Sequence, residues 1–331
     1  MKPKITLCVV LLLAGGLARA ADLETQKIYE AIRAEKAPVI DGKLDDACWQ
    51  QAKASGEFWK LSGAAAVIQQ TLFQIAYDSA NLYLAITNFE SNPAAMKNDI
   101  RVDDLTAVMG DEANEWFLEP EIGGDYYQFA ANCVGAKYDG RAMDSSWNGT
   151  WRVATGKTDT AWTLEAAIAF SSFGRYGVPG AVWGLNVCRD RQAGSDTEWS
   201  AWSPTPGGFH QTGHFGRLVF GGQSGQGIDR AALIECARAA MKSFDLERRL
   251  NEAMATVRTG KAEGLKPEQR QQREAQLAAG QAALDALAKL LQGDKPLDTR
   301  AWVETNARLQ TALAPLEETA WQVKFEVLLG D

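Results

Sequence analysis

Residues 198 to 216, EWSAWSPTPGGFHQTGHFG, bring Trp199, Trp202, Phe209, His210 and His214 into one stretch rich in proline and glycine, and these are the chain's 2 histidines. Aromatic faces stack on apolar ring faces, so the stretch could line a ligand site. Trp199 and Trp202 stand three apart. In an extended strand such a pair points to opposite faces, so at most one lines a site while the other packs inside. Trp147 and Trp151, in SSWNGTW, pose a similar choice: the Asn-Gly turn can present one indole as a platform, yet a hydrophobic pair bracketing a turn needs no ligand. A second group is acidic. Asp103, Asp104, Asp111 and Glu112 offer the several oxygens that calcium requires, and the same composition is common in a plain solvated loop. Asp41, Asp45 and Asp46, in DGKLDD, resemble a calcium loop only in composition and read as a turn with a helix cap.

Other chemistry lacks its signatures. A glycosidase needs two carboxylates facing one bond, and Glu112 and Glu115 would aim at opposite faces of a strand. No G-x-S-x-G elbow, phosphate loop or zinc signature appears, so independent catalysis is not expected. Lys2 and Lys4 precede a short apolar run, Ile5 to Leu13, and Ala18-Arg19-Ala20 supplies a cleavage site. Residues 1 to 20 therefore read as a signal peptide, too short to span a bilayer, and the mature protein is expected to be exported, periplasmic or extracellular. Losing the three positive charges Lys2, Lys4 and Arg19 takes the net charge from −8 to −11. So acidic a chain, with no basic run, suits neither nucleic acid nor an anionic membrane. Cys48, Cys133, Cys188 and Cys236 form no C-x-x-C pair. Disulfides and buried free thiols both remain open, and their pairing cannot be deduced from sequence.

The elements that must position these residues have two grammars. Nine of the 11 tryptophans fall between Trp49 and Trp202. There, TLFQIAYDSANLYLAITNFE alternates apolar and polar residues on both sides of a turn and predicts a hairpin. EWFLEP, DYYQFAANCVG, TWRVATGKTDTAWTLEAAIAF and AVWGLNVCRDR follow as short strands between turn residues, the pattern of an antiparallel β-sandwich over residues 21 to 220. GGQSGQG, 221 to 227, reads as a linker. Residues 228 to 331 turn helical. Leu233, Ala237, Met241 and Phe244, then Leu250, Met254 and Val257, mark one stripe whose phase slips between the sets. A second helix begins at Pro267 with Leu277, Leu284, Leu287 and Leu291. A third, from about Thr299, carries Trp302, Leu309, Leu313, Leu316, Ala320, Val323 and Val327, with a kink expected at Pro315. Such stripes imply a small antiparallel bundle, docking on the sandwich, or a surface for a protein partner or self-association.

The blocks APVIDGKLDDACW, DEANEWFLEP, YYQFAANCVGAKYD, AWTLEAAIAF, WGLNVCRDR and FGRLVF come in the order and rough spacing of the family 9 carbohydrate-binding modules, which the chain resembles over residues 36 to 220. The resemblance implies an immunoglobulin-like sandwich, mainly β, that binds a saccharide, often holds structural calcium, and commonly accompanies polysaccharide-degrading enzymes. The family's best-known site clamps a sugar ring between two tryptophans beside an acidic residue. That acid matches Glu115. Met109 and Phe209 stand where the family has the tryptophans, Ala130 replaces an arginine, and Cys188 replaces a polar residue. Arg189 and Asn132 are then candidates to restore hydroxyl contacts, with Trp202 and Trp147 as further walls. The rival reading keeps the same fold with a decayed sugar site, as a structural or protein-interaction module. Related sandwiches also hold haem, for which Met109 with His210 or His214 would supply ligands, although such residues in loops rarely do so and no organic cofactor is expected.

Overall fold

The computed structural model describes residues 26–61, 63–223, 225, 227–238, 245–260 and 265–329. The expected signal peptide, and Met241 and Phe244 of the expected helical stripe, lie outside them. The chain opens with strand β1 (Ile28–Arg33), a short helix α1 (Ala47–Gln51) and a two-residue strand β2 (Trp59–Lys60). The expected hairpin follows as β3 (Thr71–Tyr77) and β4 (Asn81–Phe89). Its turn closes because Asp78 Oδ1 accepts the amides of Ala80 and Asn81, each at 2.7 Å, the local bonding that suits aspartate to turns. Eight more strands complete the body: β5 (Ala113–Glu119), β6 (Tyr127–Asn132), β7 (Lys137–Arg141), β8 (Trp151–Lys157), β9 (Ala161–Ala169), β10 (Val182–Ala193), β11 (Asp196–Ala201) and β12 (Gly216–Phe220).

One face of the body is the run β7-β6-β5-β10-β12-β1, with β11 and then β2 added to the far half of β10; the other is β1-β3-β4-β9-β8. The expected sandwich is present, and all these pairs are antiparallel except those of β1. That strand runs parallel to β12 through Ile28 to Ala31 and parallel to β3 through Ile32 and Arg33, so it passes from one sheet to the other. It lies upstream of the first recognisable sequence block. Phe73, Ile75, Leu84, Ile86, Leu164 and Ile168 from the second sheet share one core with Trp116, Leu118, Phe129, Leu185 and Val187 from the first.

At one end the sheets are joined by charge. Arg189 Nε donates to Glu112 Oε1 at 2.8 Å, and Arg191 grips Glu90 through Nε at 2.7 Å and Nη2 at 3.1 Å. Trp162 Nε1, from the second sheet, donates to the same Glu112 oxygen at 3.0 Å, while the Gln192 amide reaches Oε2 at 2.7 Å. All four charged side chains are buried. Burial alone would push the Glu90 carboxyl up, but the Arg191 hydrogen bond, the Asn92 amide and both guanidinium charges outweigh it and hold it below the usual value.

The tail consists of α2 (Arg230–Arg238), α3 (Leu246–Thr259), α4 (Pro267–Leu290) and α5 (Thr299–Leu329). Leu233 and Ala237 of the first set lie on α2, and Leu250, Met254 and Val257 of the second on α3. The α5 helix contains Pro315 and continues through it to Leu329. Its stripe from Trp302 to Val323 is buried, whereas Val327 is exposed. The tail docks on the sandwich: Val219 of β12 joins the helical core, and Trp302 Nε1 donates to the Gly180 carbonyl at 2.6 Å. Glu30 of β1 accepts the Gly227 amide at 2.9 Å and the Thr299 hydroxyl. Within the expected linker, Gly221 and Gly222 are tied to β1 through Ala31 and Arg33.

Breaking a buried ion pair by removing one partner leaves the other charge uncompensated. Arg189→Met, which strands Glu112, is expected to lower the unfolding free energy by about 3–5 kcal/mol. Urea titration measures it, and an unchanged midpoint would show that the network does not hold the sheets together.

Candidate functional site

Strand register places one row of side chains across six strands on the outer face of the first sheet: Tyr138, Ala130, Glu115, Cys188, Ala201 and Trp59. Gln128, Phe117 and Asn186 form the row on one side. Asn132, Ala113, Asp190 and Trp199 form the row on the other. The alternate residues, including Trp116, Phe129, Val187 and Arg189, must point the opposite way, into the body.

At the centre of this face lies a carboxyl pair. Glu115 is 5% exposed and Asp190 2%. Gln128 Nε2 donates to Glu115 Oε2, and the same nitrogen approaches Met109 Sδ at 3.2 Å. Burial raises Glu115 to about 7, against the lowering effect of its hydrogen bonds to Gln128 and Asp190. Asp190 is pushed well above the carboxylate range by burial, and then by the charge and hydrogen bond of Glu115. No donor among the described residues reaches Asp190 Oδ2, and a proton on either carboxyl lets the two bond to each other. Burial, with these two charges, also drives the Cys188 thiol well up, so it stays protonated.

Walls rise on both sides. Met109 arrives on a 3₁₀ turn, Thr106–Gly110, and packs beside Ala130 and Tyr138. The loop after β11 lays Phe209 on Phe117, Cys188 and Ala201, with its ring 6.4 Å from that of Phe117. Phe209 is 7% exposed, so it forms a wall more than a free platform. Tyr126 and His210 make the open rim beside it, the phenol oxygen 2.8 Å from His210 Nδ1. Burial lowers the His210 pKa, which favours the neutral ring and leaves one nitrogen free to accept.

The expected site residues therefore divide. Met109, Glu115 and Phe209 converge on one face. Arg189 does not join them: it follows Cys188 by one residue, faces inward and is occupied by Glu112. Trp202 is 2% exposed and packs edge-on against Phe73 in the main core. Trp147 packs on Tyr127 and Phe129, at ring distances of 4.9 and 5.9 Å, also on the inner side. Asn132 lies on the outer face, but Nδ2 holds the Ile100 carbonyl and Asp111, while Oδ1 accepts the Val134 and Ala136 amides, so it anchors a loop. Sequence reasoning missed Gln128, Asp190, Trp59 and the outward member of the tryptophan pair, Trp199. Counting strand parity from Glu115 could have found Gln128 and, given the pairing, Asp190.

The four acids considered for calcium are not gathered at one point. Asp103 and Asp104 are exposed, and Asp103 Oδ1 accepts the Lys137 amide at 3.1 Å. Asp111 is buried, with Oδ2 bound to the Ile100 amide and Asn132, and Glu112 belongs to the arginine network. Among the described residues no three His, Cys, Asp or Glu side chains gather as a metal site. Asp46 occupies the N-cap position of α1, yet its carboxylate accepts the Val39 amide and makes no cap bond. A large groove of about 2110 Å³ lies farther along the same face, between α4, α5 and the strands near Glu119, Val182 and Arg217. Its lining, rich in alanine and glutamine, includes no aromatic ring to stack on a sugar.

The family model described as carbohydrate family 9 binding domain-like matches residues 40–223. The chain belongs to that family. No curated protein matches it. Two solved structures of family 9 modules from Caldicellulosiruptor kristjanssonii are similar to it at 18% identity. One, in complex with cellotriose, has a TM-score of 0.47 and covers 60% of this chain and 95% of its own. The other, in complex with glucose, has a TM-score of 0.48 and covers 60% and 97%. In this family 9 domain Glu115, Met109 and Phe209 share one face, and the helical tail lies outside the family match.

The carboxyl pair has a pH signature. Both groups hold protons more tightly folded than unfolded, so the folded state binds more protons between the ordinary carboxylate range and about 7. The pair's contribution to stability is greatest below that window and falls as pH rises through it, for Glu115 by about 3 kcal/mol. Glu115→Gln is expected to flatten the fall in unfolding free energies measured at about pH 5 and about pH 8. Parallel pH profiles for the variant and the parent would refute the assignment.

Proposed function

We propose that the protein is an exported, non-catalytic saccharide-binding module whose ligand lies on the outer face of the first sheet, between Met109 and Phe209. One observation carries the reading. The family's acid, Glu115, sits on that face with the side chains at both of the family's aromatic positions on either side of it. A pyranose offers axial C–H bonds to an aromatic or thioether wall and hydroxyls around its edge. Gln128, two residues from Ala130 on the same face, donates to Glu115 and so orients the carboxyl that meets the ligand. A carboxyl that titrates near 7 can donate as well as accept, whereas an ionised carboxylate only accepts.

Export rests on the leader pattern of residues 1 to 20, and a role beside polysaccharide-degrading enzymes rests on the company the family keeps. The docked tail supports the sandwich and leaves a helical surface for attachment to a partner.

Calorimetric titration with a panel of sugars that includes glucose and cellotriose tests the proposal. Phe209→Ala and Gln128→Leu are each expected to weaken binding roughly tenfold or more, about the worth of one ring contact or one hydrogen bond. Heat unchanged in both variants would move the ligand elsewhere. No heat with any sugar would make this a structural module on the family's fold.

A further inference from the structure

Two exposed tryptophans stand on the same outer face beyond Phe209. Trp199 is 49% exposed and Trp59 40%. Trp199 pairs directly with Asp190 across β10 and β11, and Trp59 pairs with Ala201 at the end of the row that contains Glu115. Paired residues share a face, so both indoles and the carboxyl pair look out from the same side of the sheet. Most other tryptophans are buried: Trp49, Trp116, Trp151, Trp162, Trp183, Trp202 and Trp302.

We infer that Trp59 and Trp199 form a second stacking platform, which receives further rings of an oligosaccharide whose first ring lies over Glu115. The inference rests on the saccharide reading above and specifies its ligand as a chain rather than a monosaccharide. From β5 to β2 is three strand steps, roughly 14 Å at ordinary strand spacing, farther than one pyranose reaches. Polar groups beside Trp199 favour sugar over a lipid or an apolar helix, although Trp59 also borders the small apolar loop at Ala66. Asp190 lies beside Trp199, and Gln192 and Thr197, paired across the same strands and joined by a 3.1 Å hydrogen bond, stand on the same face two residues farther on. An indole set among polar groups matches a ring with an apolar face and a hydroxylated edge.

Titration of the full mature chain with glucose, cellotriose and cellohexaose, in the parent and in Trp59→Ala and Trp199→Ala, tests this. Both substitutions lie on exposed side chains and should leave the melting temperature in place. Affinity in the parent should rise with chain length, and each variant should lose roughly tenfold on cellohexaose while holding its affinity for glucose. Equal affinity for all three sugars, or variants indistinguishable from the parent on cellohexaose, overturns the platform but leaves the site at Glu115 standing. Silence with every sugar in the parent overturns both.

Discussion

The register of β10 is the constraint on which the rest of the structure depends, and buried charge holds it. Arg189 and Arg191 turn inward to Glu112 and Glu90, so Cys188 and Asp190 must turn outward. A slip of one residue would exchange every side chain between the faces. It would drive two guanidinium groups out of their carboxylate partners and carry Asp190 into an apolar core. Neither carboxylate belongs to β10: Glu90 follows β4 and Glu112 precedes β5. The same bonds that fix the strand therefore fix the spacing of the two sheets at that end. They also explain why neither Arg189 nor Glu112 can serve a ligand. Each already has a partner in the interior, where an unpaired charge is costly.

How much of this was legible in the sequence depended on whether a feature is local. The β3–β4 hairpin was legible because Asp78 closes its own turn, and the short strands because alternation is a property of neighbours. Membership of the family, and the convergence of Glu115, Met109 and Phe209, were legible through ordered blocks. Three features were not. Spacing said that Trp199 and Trp202 face opposite ways but could not say which faces out, since that requires the partner strand. Arg189 looked available because its partner Glu112 is 77 residues away. β1 was invisible because a six-residue strand that pairs in parallel with two distant strands has no turn to announce it.

The tail is not an appendage. Glu30 reaches both Gly227 and Thr299, and Trp302 closes on Gly180, so the helices are bonded to β1 and to the turn before β10. Val219, on the strand between β1 and β10, shares the helical core. Because β1 bridges the two sheets, a tail that clamps β1 also supports their junction. The glycines before it do not form a loose hinge in this arrangement, as Gly221 and Gly222 extend the bonding of β1. The helices pack on β12 and β1, and among the described residues Trp199 stays exposed.

The substitutions at the family's polar positions make sense as one change rather than several. Where the family pattern sets an arginine opposite the acid, this chain has Ala130, so no guanidinium holds Glu115 ionised. A buried carboxylate without a counter-charge takes up a proton instead. Asp190 and Gln128 then complete a set in which one acid donates, the other accepts, and the carboxamide bridges to Met109. The replacement of a polar side chain by Cys188 fits the same logic, because its neighbours are carboxyls that already bond to each other and a small thiol fills the space without requiring another donor. The floor of the face is thus closer to neutral than an arginine–carboxylate pair would make it. The recognition we propose there rests on hydrogen bonds and ring contacts, which is the chemistry that an uncharged saccharide presents.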